Sequence, residues 1–264
     1  MNLFRAILLI GFAIMLSKTN VFPETLDKYL SITEVKQNLF IVEHSYPWPS
    51  NSLIAIMENG AILLIDTTYS PQAMEMVLNW IKNKYGTRNI KAINTHFHID
   101  RLGGNEALLK HNIPIYSSEL TVYAIKTRGQ SSLDLLISWV TDDIIKQYYN
   151  DFKYIFPTNV FNSKKGLTLN FGNENVLIKY MGIGHTIDNL VVYLPKKKVI
   201  FGGCMIFSLD AKKAGNITDG NIIEWEKTLE LIDTKNYNLV IPGHGKFGGV
   251  ELIKHTKEIL EKTL

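Results

Sequence analysis

The chain has 264 residues, 46% hydrophobic and 20% charged, which is enough apolar material for one large core and a single domain. Its 28 basic and 25 acidic residues leave a formal charge of only +3, with Lys and Arg scattered along the chain, so nucleic acid is excluded as a favoured partner. One cysteine, Cys204, excludes an internal disulfide and a lipid-modified cysteine near the N-terminus.

Arg5, the apolar run 6–16 and polar 17–20 have the layout of a secretory signal, too short to span a bilayer comfortably. No clear small-x-small site marks the cut, so residues 1–20 are assigned to the signal with cleavage between Ser17 and Glu24, an uncleaved anchor being the alternative. The mature protein, 25–264, is then expected in the periplasm as one domain without stable membrane association. A thiol left unpaired in an oxidising compartment needs another reason to exist.

Runs at 39–43, 53–57 and 61–66 are short, apolar or alternating, and Asn59-Gly60 between the last two predicts a hairpin. Ser70-Pro71, then Met74, Val77, Leu78 and Ile81, then Gly86, predict a capped helix with its stop. A strand at 90–94 runs into Thr95-His96-Phe97-His98-Ile99-Asp100-Arg101, and Gly103-Gly104 opens a helix through Lys110. Segment 131–152 reads as a helix with Leu133, Leu136, Ile137, Val140, Ile144 and Tyr148 on one stripe, either a packing helix or a wall over a cleft. Strands follow near 176–181, 190–194 and 199–202, then a helix near 222–232, a strand at 239–241 and a last helix from Val250. Strands in both halves with helices after them predict an α/β architecture of two sheets packed face to face and covered by helices.

His96, His98 and Asp100 offer two imidazoles and a carboxylate on a turn where alternate side chains converge, a donor set that suits zinc. His185 and His244 have glycines close by in Gly182-Ile183-Gly184-His185-Thr186 and Gly243-His244-Gly245, and Cys204 follows Gly202-Gly203 at a strand end. Six donors exceed what one zinc needs, and two tetrahedral sites with three protein ligands each and an open position would use them all. His44, His111 and His255 are left as surface or structural residues.

These motifs, with Ile187-Asp188-Asn189, Leu64-Ile65-Asp66-Thr67 and Gly215-Asn216 also in place, closely resemble the zinc metallo-β-lactamases of class B, first subclass. The resemblance runs from about Leu39 to the C-terminus. It implies the αβ/βα sandwich of that family, a first zinc on His96, His98 and His185, and a second on Asp100, Cys204 and His244. The expected activity is hydrolysis of the β-lactam amide by a hydroxide shared between two Zn2+ ions, giving resistance to β-lactam antibiotics. Asp100 would orient that hydroxide and Asn216 would polarise the carbonyl oxygen. Arg101, Asp66 and Thr95 are expected behind the ligands, holding carboxylate and imidazoles in place. Related hydrolases of thioesters and lactones and the zinc nucleases typically carry His-x-His-x-Asp-His with a bridging aspartate. Arg101 and Cys204 depart from that pattern, while a non-catalytic zinc-binding protein remains a further alternative.

The chain also departs from the family it resembles. Many members place a lysine three residues past the cysteine to hold the substrate carboxylate, and here that residue is Phe207. Lys212 or Lys213 would substitute, or penicillins and cephalosporins would be poor substrates. The loop Tyr46-Pro47-Trp48-Pro49-Ser50-Asn51 stands where the family has a longer flap, with Trp48 as a stacking surface for substrate. The 131–152 helix falls where some members carry an insertion. A monomer is expected.

Overall fold

The computed structural model describes residues 23–263, so the signal reading at 1–20 lies outside the described residues. Strands β1 (Glu24–Thr25), β2 (Leu30–Lys36), β3 (Leu39–His44), β4 (Ser50–Ile56) and β5 (Ile62–Ile65) pair antiparallel in chain order. Strands β6 (Ile90–Ile93), β7 (Ile115–Ser118) and β8 (Asn159–Phe161) extend the same sheet in parallel. Helices α1 (Pro71–Tyr85), α2 (Ile99–Leu102), α3 (Asn105–Lys110), α4 (Glu119–Trp139) and α5 (Asp143–Asn150) lie between them. The second sheet holds β9 (Leu167–Phe171), β10 (Glu174–Tyr180), β11 (Leu190–Leu194), β12 (Val199–Gly203) and β13 (Leu239–Pro242), ordered β13-β12-β11-β10-β9. Only its β12–β13 pair is parallel, and helices α6 (Ile222–Glu230) and α7 (Glu251–Glu261) complete the chain.

Each sheet buries both faces, which is why strands such as β3 and β11 read as nearly unbroken apolar runs. Leu39, Ile41, Leu53, Ile65 and Ile93 of the first sheet meet Val176, Leu190, Val192, Phe201 and Ile241 of the second in the central layer. Alternate residues point the other way: Phe40, Val42, Ile54 and Leu64 pack under Met74, Val77 and Ile81 of α1. On the far side Val191, Tyr193 and Ile200 pack under Trp225, Leu229 and Leu252 of α6 and α7. The result is the helix-sheet-sheet-helix sandwich expected from the sequence.

The hairpin at Asn59-Gly60 and the helix capped by Ser70 are where the sequence puts them: Gly60 takes φ 79°, and Ser70 Oγ accepts from the Ala73 amide at 3.3 Å. Segment 131–152 is not one helix. Helix α4 begins twelve residues earlier than that span, at Glu119, and ends at Trp139; α5 then starts afresh. The break has a local cause, since the Asp142 carboxylate accepts from the Ile144 and Ile145 amides at 3.0 and 3.1 Å and caps a new helix. The single stripe is broken with it: Leu133, Leu136 and Val140 are buried with Tyr69, Ile99 and Tyr149, whereas Ile144 is 83% exposed. No helix among the described residues is long and apolar enough to cross a membrane.

This burial pattern sets the expected cost of truncation. Phe201→Ala, in the central layer, should destabilise the fold by about 3–5 kcal/mol, while Ile144→Ala should change it by less than about 0.5 kcal/mol, both read from urea unfolding.

Candidate metal centre

All six donors sit at the ends of strands or in a connection between them. The turn after β6 carries His96 and His98, and its chain enters α2 at once, so Asp100 and Arg101 lie on a helical turn instead of a loop. The side chain of Asn94 ties this turn together, donating to the Arg101 carbonyl at 2.9 Å. The β10–β11 connection supplies His185. Cys204 and His244 follow β12 and β13, the parallel neighbours whose register pairs Gly203 with Pro242. At Gly243 a side chain has no room: a Cβ there would meet Cys204 Sγ at 2.6 Å, and the Gly243 amide donates to the Gly203 carbonyl at 2.8 Å.

His96, His98 and His185 form one cluster, each presenting a ring nitrogen within 4.8 Å of the others. His98 Nε2 faces Asp219 Oδ2 at 3.0 Å, and donation there leaves the Nδ1 lone pair facing His185 Nε2 at 3.1 Å. His96 Nε2 is buried with no hydrogen-bond partner. Burial, reinforced by the neighbouring imidazoles, holds His96 well below the usual histidine range, and burial with His98 does the same for His185. Imidazoles converging on one point, His96 and His185 held neutral by burial and His96 Nε2 without a partner, are what a cation would require.

Asp100, Cys204 and His244 form the second cluster, again with donor atoms within 4.8 Å. His244 Nδ1 donates to the Pro49 carbonyl at 2.6 Å, which turns Nε2 toward Cys204 Sγ at 3.3 Å and Asp100 Oδ2 at 3.3 Å. Burial pushes the Asp100 carboxyl up, but Arg101, His244 and His98 outweigh it and bring it down to about 2. Burial pushes the Cys204 thiol up, with Arg101 opposing only in part. A thiolate at this position therefore calls for a further positive charge beside the sulfur.

Arg101 is fully buried and joins the site's segments. Its Nε and Nη2 donate to Asp100 Oδ2 at 2.9 and 2.5 Å, Nη1 to the Asn51 carbonyl at 2.7 Å, and Nη2 to Ser50 Oγ and the Gly243 carbonyl, both at 2.9 Å. Asp66 stands 3.4 Å from Nη1 and accepts from the Thr95 amide and hydroxyl at 2.7 and 2.8 Å. Burial pushes the Asp66 carboxyl up to about 7 against the pull of Arg101 and Thr95. Thr95 Oγ1 in turn lies 3.4 Å from His96 Nδ1.

The residues expected on the substrate side are less concentrated. Asn216 accepts from the Thr218 amide at 3.0 Å through Oδ1, so its amide nitrogen is the part free to meet a substrate. Lys212 and Lys213 are exposed on the same loop, and Trp48 is 62% exposed. Phe207 is turned inward: its ring lies 5.2 Å from that of Trp225, which itself lies 5.6 Å from the His185 ring. Of the remaining histidines, His44 accepts from the Tyr69 amide at 3.2 Å, His111 meets Glu75 at 2.7 Å, and His255 faces the Ala211 carbonyl at 3.0 Å. Sequence reasoning missed Asp219 and its partner Arg128, whose Nη1 donates to the Asp219 carbonyl at 3.2 Å. No spacing marks either residue, because the contacts join segments far apart in the chain.

Comparison with known proteins agrees with this geometry. Residues 45–244 match the model of the metallo-beta-lactamase superfamily. The chain is 31% identical to a metallo-beta-lactamase type 2 of Bacteroides fragilis, across 81% of this chain and 76% of that protein. It is 32% identical to one from Bacillus sp. (strain 170), across 88% and 82%. Among solved structures, a metallo-beta-lactamase from Pontibacter korlensis superposes with a TM-score of 0.73 at 28% identity, covering 88% of this chain and 99% of that one. The chain belongs to the metallo-beta-lactamase superfamily, and its paired His-His-His and Asp-Cys-His clusters fit the first subclass of class B.

Proposed function

We propose that this chain hydrolyses the amide bond of β-lactams with two zinc ions, His96, His98 and His185 holding the first and Asp100, Cys204 and His244 the second. The observation that carries the reading is the pair of three-donor clusters, one all-imidazole and buried, the other containing a buried thiol and carboxylate with half-buried His244. A thiol among imidazole and carboxylate donors favours zinc over harder cations. Three protein ligands on each ion would leave a position open for chemistry. Zinc held there would supply a bound water with a pKa of about 7 and Lewis-acid polarisation of a carbonyl.

The chain's own groups then have distinct tasks. Hydrogen bonds to Pro49 and Asp219 set the tautomers of His244 and His98 and aim the remaining nitrogen of each into its cluster. Arg101 fixes the Asp100 carboxylate beside the second cluster, where it would orient the nucleophile. The Asn216 amide nitrogen donates to the carbonyl oxygen as charge develops on it. Lys212 and Lys213 supply the cation for the substrate carboxylate, since Phe207 is packed on Trp225. Exposed Trp48 offers a face for the fused ring system. The basic and apolar N-terminal residues support export to the periplasm, and a site built wholly from one chain supports a working monomer.

Purified protein should hydrolyse a carbapenem and a cephalosporin in a spectrophotometric assay, lose that activity to a chelator, and regain it with zinc; zinc-independent turnover would overturn the reading. Cys204→Ser should cut zinc occupancy at the Asp-Cys-His cluster far more than at the three-imidazole cluster, as measured by metal analysis after graded dialysis. A Lys212→Ala, Lys213→Ala double variant should raise KM about tenfold or more, the loss expected for a charge-assisted bond of roughly 1.5–3 kcal/mol, with kcat little changed.

A further inference from the structure

Helix α4 reaches the three-imidazole cluster from two sides. Ala124 and Ile125 are buried against Phe97 and Leu102, and the Phe97 ring centre lies 4.5 Å from that of His98. One turn on, Arg128 Nη1 donates to the Asp219 carbonyl at 3.2 Å and stands 3.5 Å from its Oδ1. The other carboxylate oxygen of Asp219 accepts from His98 Nε2 at 3.0 Å. Residues three and four apart share a helix face, so one face of α4 supplies both the apolar bed under Phe97 and the cation over Asp219. The stretch of helix carrying Arg128 is itself pinned. Tyr154 donates from its hydroxyl to the Gly129 carbonyl at 2.9 Å, and a side chain at Gly129 would meet the Tyr154 ring at 3.0 Å.

We propose that Arg128 is a positioning residue for the three-imidazole site: by gripping both the main chain and the carboxylate of Asp219, it sets the direction of His98 Nδ1 and ties α4 to the loop bearing Asn216. This role rests on the zinc reading above. A carboxylate bonded to a ligand imidazole fixes that ring only as well as it is itself fixed. Asp219 lies in an irregular loop, and Arg128 is the cation that meets it at two atoms, one on the backbone and one on the side chain. Both contacts come from Nη1, so a lysine could satisfy one of them at shorter reach and should restore part of the effect.

Two-step titration with zinc against a chromophoric chelator tests this, with cobalt(II) as a second probe because only the cysteine site gives a thiolate charge-transfer band. Arg128→Met should weaken the three-imidazole site by about tenfold, the low end of the range for lost outer partners, and leave the Asp-Cys-His site unchanged. The His98 Nε2–H signal of the zinc-loaded protein should exchange faster with solvent, and Arg128→Lys should fall between. Tyr46→Phe loosens the far end of the same helical arm, where the Tyr46 hydroxyl accepts from the Thr141 and Asp142 amides at 2.8 and 2.9 Å; it should lower Tm without changing the ratio of the two affinities. Unchanged binding and exchange in Arg128→Met, or equal loss at both sites, would overturn the proposal. Should Arg128→Met fail to fold, the same affinity ratio is read from Arg128→Lys, and an unaltered ratio there overturns it equally. An unsubstituted chain that binds no zinc in two steps would instead overturn the functional reading, and this proposal with it.

Discussion

A positive charge with no access to water organises this site. The guanidinium of Arg101 is 0% exposed, and a buried cation is tolerable only when its donors are satisfied and its charge is countered. The partners that do this are Asp100, Asp66, Ser50, Asn51 and Gly243. Each comes from a segment that also carries or borders a donor: the β6–α2 turn, the end of β5, the start of β4 and the end of β13. Meeting the electrostatic needs of one side chain therefore assembles four strand ends around a common centre. Removing a partner from such a buried pair typically costs on the order of 3–5 kcal/mol, which makes the arrangement close to all-or-none.

The sandwich supplies the second condition. Central-layer residues fix the two sheets against each other, so the ends of β6 from one and of β12 and β13 from the other open onto the same edge. Parallel pairing of β12 with β13 then puts Cys204 and His244 side by side without further machinery. Asn51 closes the gap between the sheets, donating from its amide nitrogen to the Pro242 and Gly245 carbonyls at 3.0 and 2.8 Å. Rigid packing beneath and hydrogen-bonded loops above allow imidazoles and a thiol to be held together where none would gather unaided.

The sequence made the donors legible because each is announced locally. Histidines alternate on a turn after a strand, and glycines flank His185, Cys204 and His244 wherever the backbone must come close. The sandwich was legible for a similar reason, as short apolar strands are followed by capped helices. The first half of α4 was not. Apart from Ile125 it buries small residues, Thr121, Ala124 and Gly129, and a glycine inside a helix reads as a breaker, so no stripe is visible before Leu133. The short strands β7 and β8 carry too few residues to show a period. Asp219 was hidden for a different reason: it meets His98 across 121 residues of sequence, and only folding makes that a contact.

Phe207 has an implication for how this protein can change. Its ring shares a layer with Trp225, and Trp225 in turn borders the His185 imidazole. A single replacement by lysine would introduce a cation near the cleft but withdraw an aromatic wall from a residue that backs a ligand. Gain of charge and loss of support are thus coupled at one position, so such a replacement would call for compensating changes around Trp225.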